Sequence, residues 1–141
     1  MAAFRWNQRE LDRLLNSQNG PVGRDLDAKA RRAQEAQKER APVSPDGSHG
    51  RPAGYMRDSI TRRHGRDSEG QFVDVGPTAE TPDGHPYPLD VEFGTRPHTI
   101  ESKGDYPLRD EHGNVFGKTV NHPGTEAQPF IRPSIEAIRD Q

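Results

Sequence analysis

Large apolar side chains are too scarce in this chain to build the core that its length calls for. Leucine, isoleucine, valine and phenylalanine together number 23 of 141 residues. That is about 16%, against the roughly 20% below which a chain drifts toward disorder when its net charge is also high. The net charge is only −2, so the second condition fails. Eleven of the remaining hydrophobic residues are alanine, and 14 glycines with 13 prolines break the chain into short segments. A well-packed domain of this size wants more large apolar residues. The balance implies a small core with long excursions that become ordered when neighbours bury them. An oligomer or a larger assembly is the natural setting for such a chain.

Several classes drop out early. There is no cysteine, which excludes disulfides and thiolate zinc sites. No run of 18 apolar residues exists, so no membrane span is expected. The opening "MAAFRWNQRE" lacks the apolar stretch of a signal peptide. The expectation is a soluble protein, used inside a cell or built into a particle there. The charge is divided along the chain. Residues 1–66 hold 14 Lys+Arg against 8 Asp+Glu, a net of +6, and residues 67–141 hold 6 against 14, a net of −8. Such a split suits subunits that stack basic face to acidic face, and equally suits two solvated ends.

Local patterns give the elements. "NQRELDRLLNS" (7–17) reads as a helix, with Asn7 and Glu10 at capping-box spacing. Leu11, Leu14 and Leu15 form its apolar face, joined by Phe4 and Trp6, and "NGP" (19–21) ends it. A second helix spans about Val22 to Ala41, with a narrow stripe of Leu26, Ala30 and Ala33. Residues 42–54 are a Pro/Gly/Ser-rich loop, long enough to be functional. "YMRDSITRR" (55–63) and "QFVDVG" (71–76) read as strands of a hairpin joined by "HGRDSEG". Residues 77–86 form another loop. For "PLDVEFG" (88–94) two readings compete. Leu89, Val91 and Phe93 alternate as in a strand, while Pro88 and Gly94 fit the first position and the stop of a two-turn helix, which we favour. "HTIES" and "NVFGKTV" suggest a second hairpin with a long tip. "FIRPSIEAIRDQ" closes the chain as a helix started by Pro133, with Ile131, Ile135 and Ile138 as its stripe. No internal repeat is present. The expected fold is α+β, a single domain over 1–141 with a short antiparallel sheet, N- and C-terminal helices, long loops and an extended hairpin. Its parts are a helical 1–41, a loop 42–54, a sheet with long loops over 55–127 and a C-terminal helix over 128–141.

Candidate chemistry is sparse. Six histidines (49, 64, 85, 98, 112 and 122) sit mostly in Gly/Pro-rich loops without HxH or HExxH spacing. The one metal arrangement worth naming is a hydrolase centre of Glu92, His98 and His122. No GxSxG elbow, P-loop or dinucleotide fingerprint occurs, and Ser48 beside His49 is not a catalytic pair. Arg51, Arg57, Arg62, Arg63 and Arg66, with Asp58 the only acid between 49 and 66, form a basic run. It suits either a subunit contact or double-stranded DNA held by its phosphates. No aromatic platform accompanies it for single strands. Glu92 has no second acid for general acid–base work. It reads as a structural acceptor, for backbone N–H groups or an arginine at the "FGT" turn.

The motif order carries a resemblance. "APV" (41–43), a Gly-rich loop, "GYMRDSI" (54–60), "VDVG" (73–76), "VEFGT" (91–95) and "QPFIRPSIEAI" (128–138) follow one another. In this the chain, over about residues 8–140, resembles the head–tail joining (neck, or tail-completion) proteins of long-tailed, non-contractile bacteriophages. "VEFGT" with "QPFIRPSIE" is the most specific part, and the "HTI…KGDYPLR…VFGKTVNHPGT" segment is similar to the version in phages of actinobacteria. Pro88 and Asp90 depart from the pattern. The resemblance implies a virion structural protein without catalysis or cofactor. It would form a homo-oligomeric, hexameric ring in the neck between the connector and the tail terminator or tail tube, assembled in the host cytoplasm. Non-specific double-stranded DNA would pass through the lumen. A tail terminator capping the tube is the alternative in the same class. Within the whole chain, Glu92, Phe93, Gly94 and Thr95 read as the joint that turns the chain into the 97–120 hairpin, with Phe93 as its anchor. Pro129, Phe130, Ile131, Arg132, Pro133 and Ile135 would dock the last helix onto the sheet, and loops 42–54 and 103–114 would touch adjacent rings.

Overall fold

In a computed structural model, which describes residues 3–110 and 112–139, the first helix begins at its expected cap. The Asn7 side-chain oxygen accepts from the Glu10 N–H at 3.3 Å and opens α1 (Gln8–Asn16). This satisfies one of the four N–H groups that a helix start leaves unpaired. Pro21 then occupies the first turn of α2 (Pro21–Arg40), where its missing N–H costs nothing. Gly23 lets the α1–α2 turn lie on α2, because a Cβ there would meet the Gln18 carbonyl oxygen at 2.4 Å.

α2 is the spine. Its buried positions include Ala30, Ala33, Ala36 and Gln37, a stripe of small residues that brings neighbours close while burying little area. The neighbours are the ribbon formed by β1 (Ile60–Asp67) and β2 (Gly70–Pro77), and the C-terminal segment. Two amides tie the layers together. Gln34 Nε2 donates to the Ile60 carbonyl at 2.7 Å, and Gln37 Nε2 donates to Val75 O at 3.4 Å and Ser134 Oγ at 3.3 Å. The core proper is Ala41, Met56, Ile60, Ala79, Tyr87 and Phe130, with Val91 and Ile131 against it.

The architecture is α+β. A short helix, α3 (Tyr55–Asp58), precedes β1, and another, α4 (Pro88–Phe93), follows the 78–86 loop. β3 (His98–Glu101) pairs antiparallel with β6 (Thr119–His122), and β4 (Leu108–Arg109) with β5 (Val115–Gly117). A 3₁₀ turn (Arg132–Ile135) leads into α5 (Glu136–Arg139).

Four expectations need correction. The strands form three separate two-stranded ladders rather than one sheet. Residues 55–58 are helical, not strand, because Gly54 at φ 77° caps a turn whose Met56 points into the core. The expected hairpin loop at 64–70 is largely paired, since the β1–β2 register runs from Ile60↔Pro77 to Asp67↔Gly70. The last helix docks on α2 rather than on a sheet, and starts as a 3₁₀ turn. At 88–93 the chain is helical, with Gly94 at φ 71° just past the end. Residue 111 of the 103–114 loop and residues 140–141 of the C-terminal helix lie outside the described residues.

Candidate functional site

The segment after Pro129 cannot start a helix without help. Phe130, Ile131 and Arg132 present N–H groups at the start of the 3₁₀ turn, and no residue of that turn caps them. Glu92 does so from about forty positions earlier. Its Oε2 accepts from Phe130 N–H at 2.7 Å and Ile131 N–H at 2.9 Å, and its Oε1 accepts from Arg132 N–H at 3.1 Å and Arg132 Nε at 2.9 Å. A carboxylate at a helix start also meets the positive end of the backbone dipoles. Glu92 is 1% exposed. Burial pushes its carboxyl up, but the N–H groups of Ile131, Phe130 and Arg132 and the Arg132 guanidinium outweigh that and hold it below its ordinary value. The group is therefore a charged, fully partnered clamp.

The joint around the clamp is built from backbone. Gln128 N–H donates to the Val91 carbonyl at 2.8 Å, and Thr95 and Thr125 exchange N–H to carbonyl bonds at 3.0 and 3.1 Å. Gly94 passes so near this strip that a Cβ would lie 2.6 Å from the Thr125 carbonyl oxygen, so no larger residue fits. Phe130 is fully buried at 0% exposure and fills the core beside Tyr87 and Ile60. Ser134 is buried and meets Gln37 of α2. Ile135 stays partly exposed. Phe93 does not anchor the joint. It is 60% exposed, with the Arg132 guanidinium 4.8 Å above its ring. On α4, Val91 and Glu92 face inward, which leaves Phe93 on the outer side.

The basic run is dispersed. Arg51 spends its donors on the Glu80 and Thr81 carbonyls and covers the Tyr55 ring. Arg57 pairs with Asp58, and Arg63 pairs with Asp74, its partner across the ribbon. Arg62 and Arg66 reach toward α2 and α1, to Asp27 at 3.5 Å and Asp12 at 3.6 Å. Alternation along β1 sends Arg63 to one face and Arg62 and Arg66 to the other. The five residues form no single surface.

The proposed hydrolase trio is not brought together. His98 and His122 face each other across the β3–β6 ladder, with ring centroids 5.0 Å apart. Glu92 lies in the core with its oxygens occupied. The His98 Nδ1 is 2.8 Å from the Arg96 carbonyl, while His122 Nδ1 accepts from Gly124 N–H at 3.0 Å. Among the described residues no three His, Asp or Glu side chains converge where a metal ion could be held.

Sequence reasoning missed two features. His49, at φ 55°, stacks on Tyr87 with centroids 4.3 Å apart. The residue is exposed overall, yet the partial desolvation of its ring pushes its pKa down. A cleft on α2 lined by Arg24, Arg31 and Arg32 also escaped notice. The i, i+7, i+8 spacing of those arginines was the available signal. No helix of the described residues is long and apolar enough to cross a membrane. Searches of family models, curated proteins and solved structures found no match to this chain.

Proposed function

We propose that this chain is a non-enzymatic virion structural protein that forms a ring in the bacteriophage neck, joining the DNA-filled head to the tail tube. The order of the motifs suggests it, and the surface carries it. A folded chain of 15.8 kDa is expected to expose about 7,300 Å², whereas this one exposes 10679 Å². The excess, about 3,400 Å², amounts to roughly four one-sided footprints of a standard interface at about 800 Å² each. The large apolar side chains that are more than half exposed fall in three segments of the chain. Phe4 and Trp6, 79% and 69% exposed, sit before α1; Leu89 and Phe93 lie on the outside of α4; Tyr106, Val115 and Phe116 lie on the far hairpin. Three unlike patches suit a subunit with different neighbours on different sides, the condition for a heterologous contact that closes into a ring.

The test is the particle. Gene deletion is expected to leave filled heads and detached tails of normal length, and labelled protein should appear at the neck in multiples of the ring's copy number. Overlong tails on deletion would instead assign the tail-terminator role. Protein found free and absent from particles would remove both readings.

A further inference from the structure

A cleft of about 600 Å³ opens between the α1–α2 turn, the first half of α2 and His64 of β1. Arg24, Arg31 and Arg32 line it from α2, and their spacing puts them on one helix face. Its carboxylate, Asp27, is already shared by two guanidinium groups and an imidazole. Arg31 Nη2 stands 2.9 Å away, His64 Nε2 3.3 Å and Arg62 Nη1 3.5 Å. Arg24 and Arg32 have no ion-pair partner among the described residues. The Nε of Arg32 is buried and donates to nothing, while Arg62 Nη1 has only its ionic contact with Asp27 and no hydrogen bond. Buried donors of permanent cations rarely stay unpaired, because they forgo water and gain no protein partner.

We propose that this cleft binds the phosphate groups of a nucleic-acid backbone. Arg24, Arg31 and Arg32 line the cleft against the single carboxylate of Asp27, more cations than one carboxylate of a protein partner would satisfy. Guanidinium forks match phosphate oxygens, and the side-chain amides of Gln18 and Asn19 at the mouth supply neutral donors of the kind that position a backbone. No aromatic ring other than His64 lines the cleft, so it reads charge rather than bases. The inference stands on the cleft alone and is independent of the neck assignment, which is tested by the protein's place in the particle.

Anisotropy titrations of the full chain with a short fluorescent DNA duplex test it. Neutralising three phosphates predicts a slope of log K against log salt of about −2.7, a loss of about 40-fold between about 50 and 200 mM salt. In the R24A/R32A variant the slope is expected to fall to about −0.9 and that loss to about 4-fold. R24A alone, which changes an exposed residue and so spares the fold, should give about −1.8. R57A/R63A, outside the cleft, should match the wild type. Absence of saturable binding at the lowest salt, or equal losses in R57A/R63A, would overturn the proposal. Two further arms identify the anion. Saturation by inorganic phosphate without duplex binding would replace nucleic acid with a small phosphate ester. Displacement of the duplex by polyglutamate at equal charge concentration would assign the cleft to an acidic protein instead.

Discussion

The joint around Phe130 and the hairpin over 98–122 belong to one chain and follow opposite rules. At the joint, Tyr87, Phe130, Ile60 and Glu92 are the largest fully buried side chains, and each backbone donor of the 130–132 turn has an acceptor. In the hairpin every residue of β3 is exposed, Tyr106 is 82% exposed, and the ladders are two strands wide. A two-stranded ribbon without a covering layer is marginal in water. The difference teaches where the scarce apolar residues went: to one compact joint, while the hairpin leaves Tyr106, Val115 and Phe116 exposed.

The sharpest way to break this comparison is to empty the joint. Phe130→Ala is expected to lower the stability of the isolated chain by about 3–5 kcal/mol, by removing a ring from a closed core. Urea unfolding followed by circular dichroism measures it, and a loss below about 1 kcal/mol would mean that the joint is not the centre of stability. Next in size, Glu92→Gln should cost about 2–3 kcal/mol, because buried N–H groups lose a charged acceptor. The sign with pH follows from the lowered carboxyl. The native state favours the ionised form, so this contribution is present above the ordinary value near 4.5 and is lost as pH falls through the lower native value. The gap between wild type and Glu92→Gln should therefore shrink on acidification below about pH 4.5; a gap constant down to pH 2 would contradict the clamp. Asp27, Asp83 and Asp110, also held low, are common to both proteins and cancel. Smallest is the hairpin. A Tyr106→Ser/Phe116→Ser double variant should change the isolated chain's stability by less than about 0.5 kcal/mol, while its association, read by analytical ultracentrifugation at high concentration, should be lost. A large loss of monomer stability would show that the hairpin supports its own body.

What the sequence made legible was what neighbours in the chain decide. Asn7 with Glu10, and Pro88 with Gly94, mark helix ends through bonds and dihedrals within a few residues, and those ends fall where expected, whereas Pro21, read as part of the stop of the first helix, instead opens the second. Residues 55–58 misled because a short apolar run is strand-like or helix-like until its flanks are known, and the positive φ of Gly54 is not written in its identity. Phe93 misled through the general habit of aromatic burial, since α4 turns Val91 and Glu92 inward instead. The role of Glu92 as an acceptor was readable in kind, but its donors lie at 130–132, a separation that no periodicity reports. The α2 arginines Arg24, Arg31 and Arg32 line a cleft whose existence no local pattern announces. Their meaning depends on the α1–α2 turn folding back over Gly23, a tertiary event.

The paired strip at Val91–Gln128 and Thr95–Thr125 has one more consequence. It brings the two ends of the 96–124 excursion side by side before the excursion begins. The body therefore sees that stretch only as a bridged gap, and the entropy of bridging grows slowly, by about 0.6 kcal/mol for each doubling of length. The arm is in effect a cassette. Residues can be added to it, removed from it or changed at its tip while the fold that carries it stays the same.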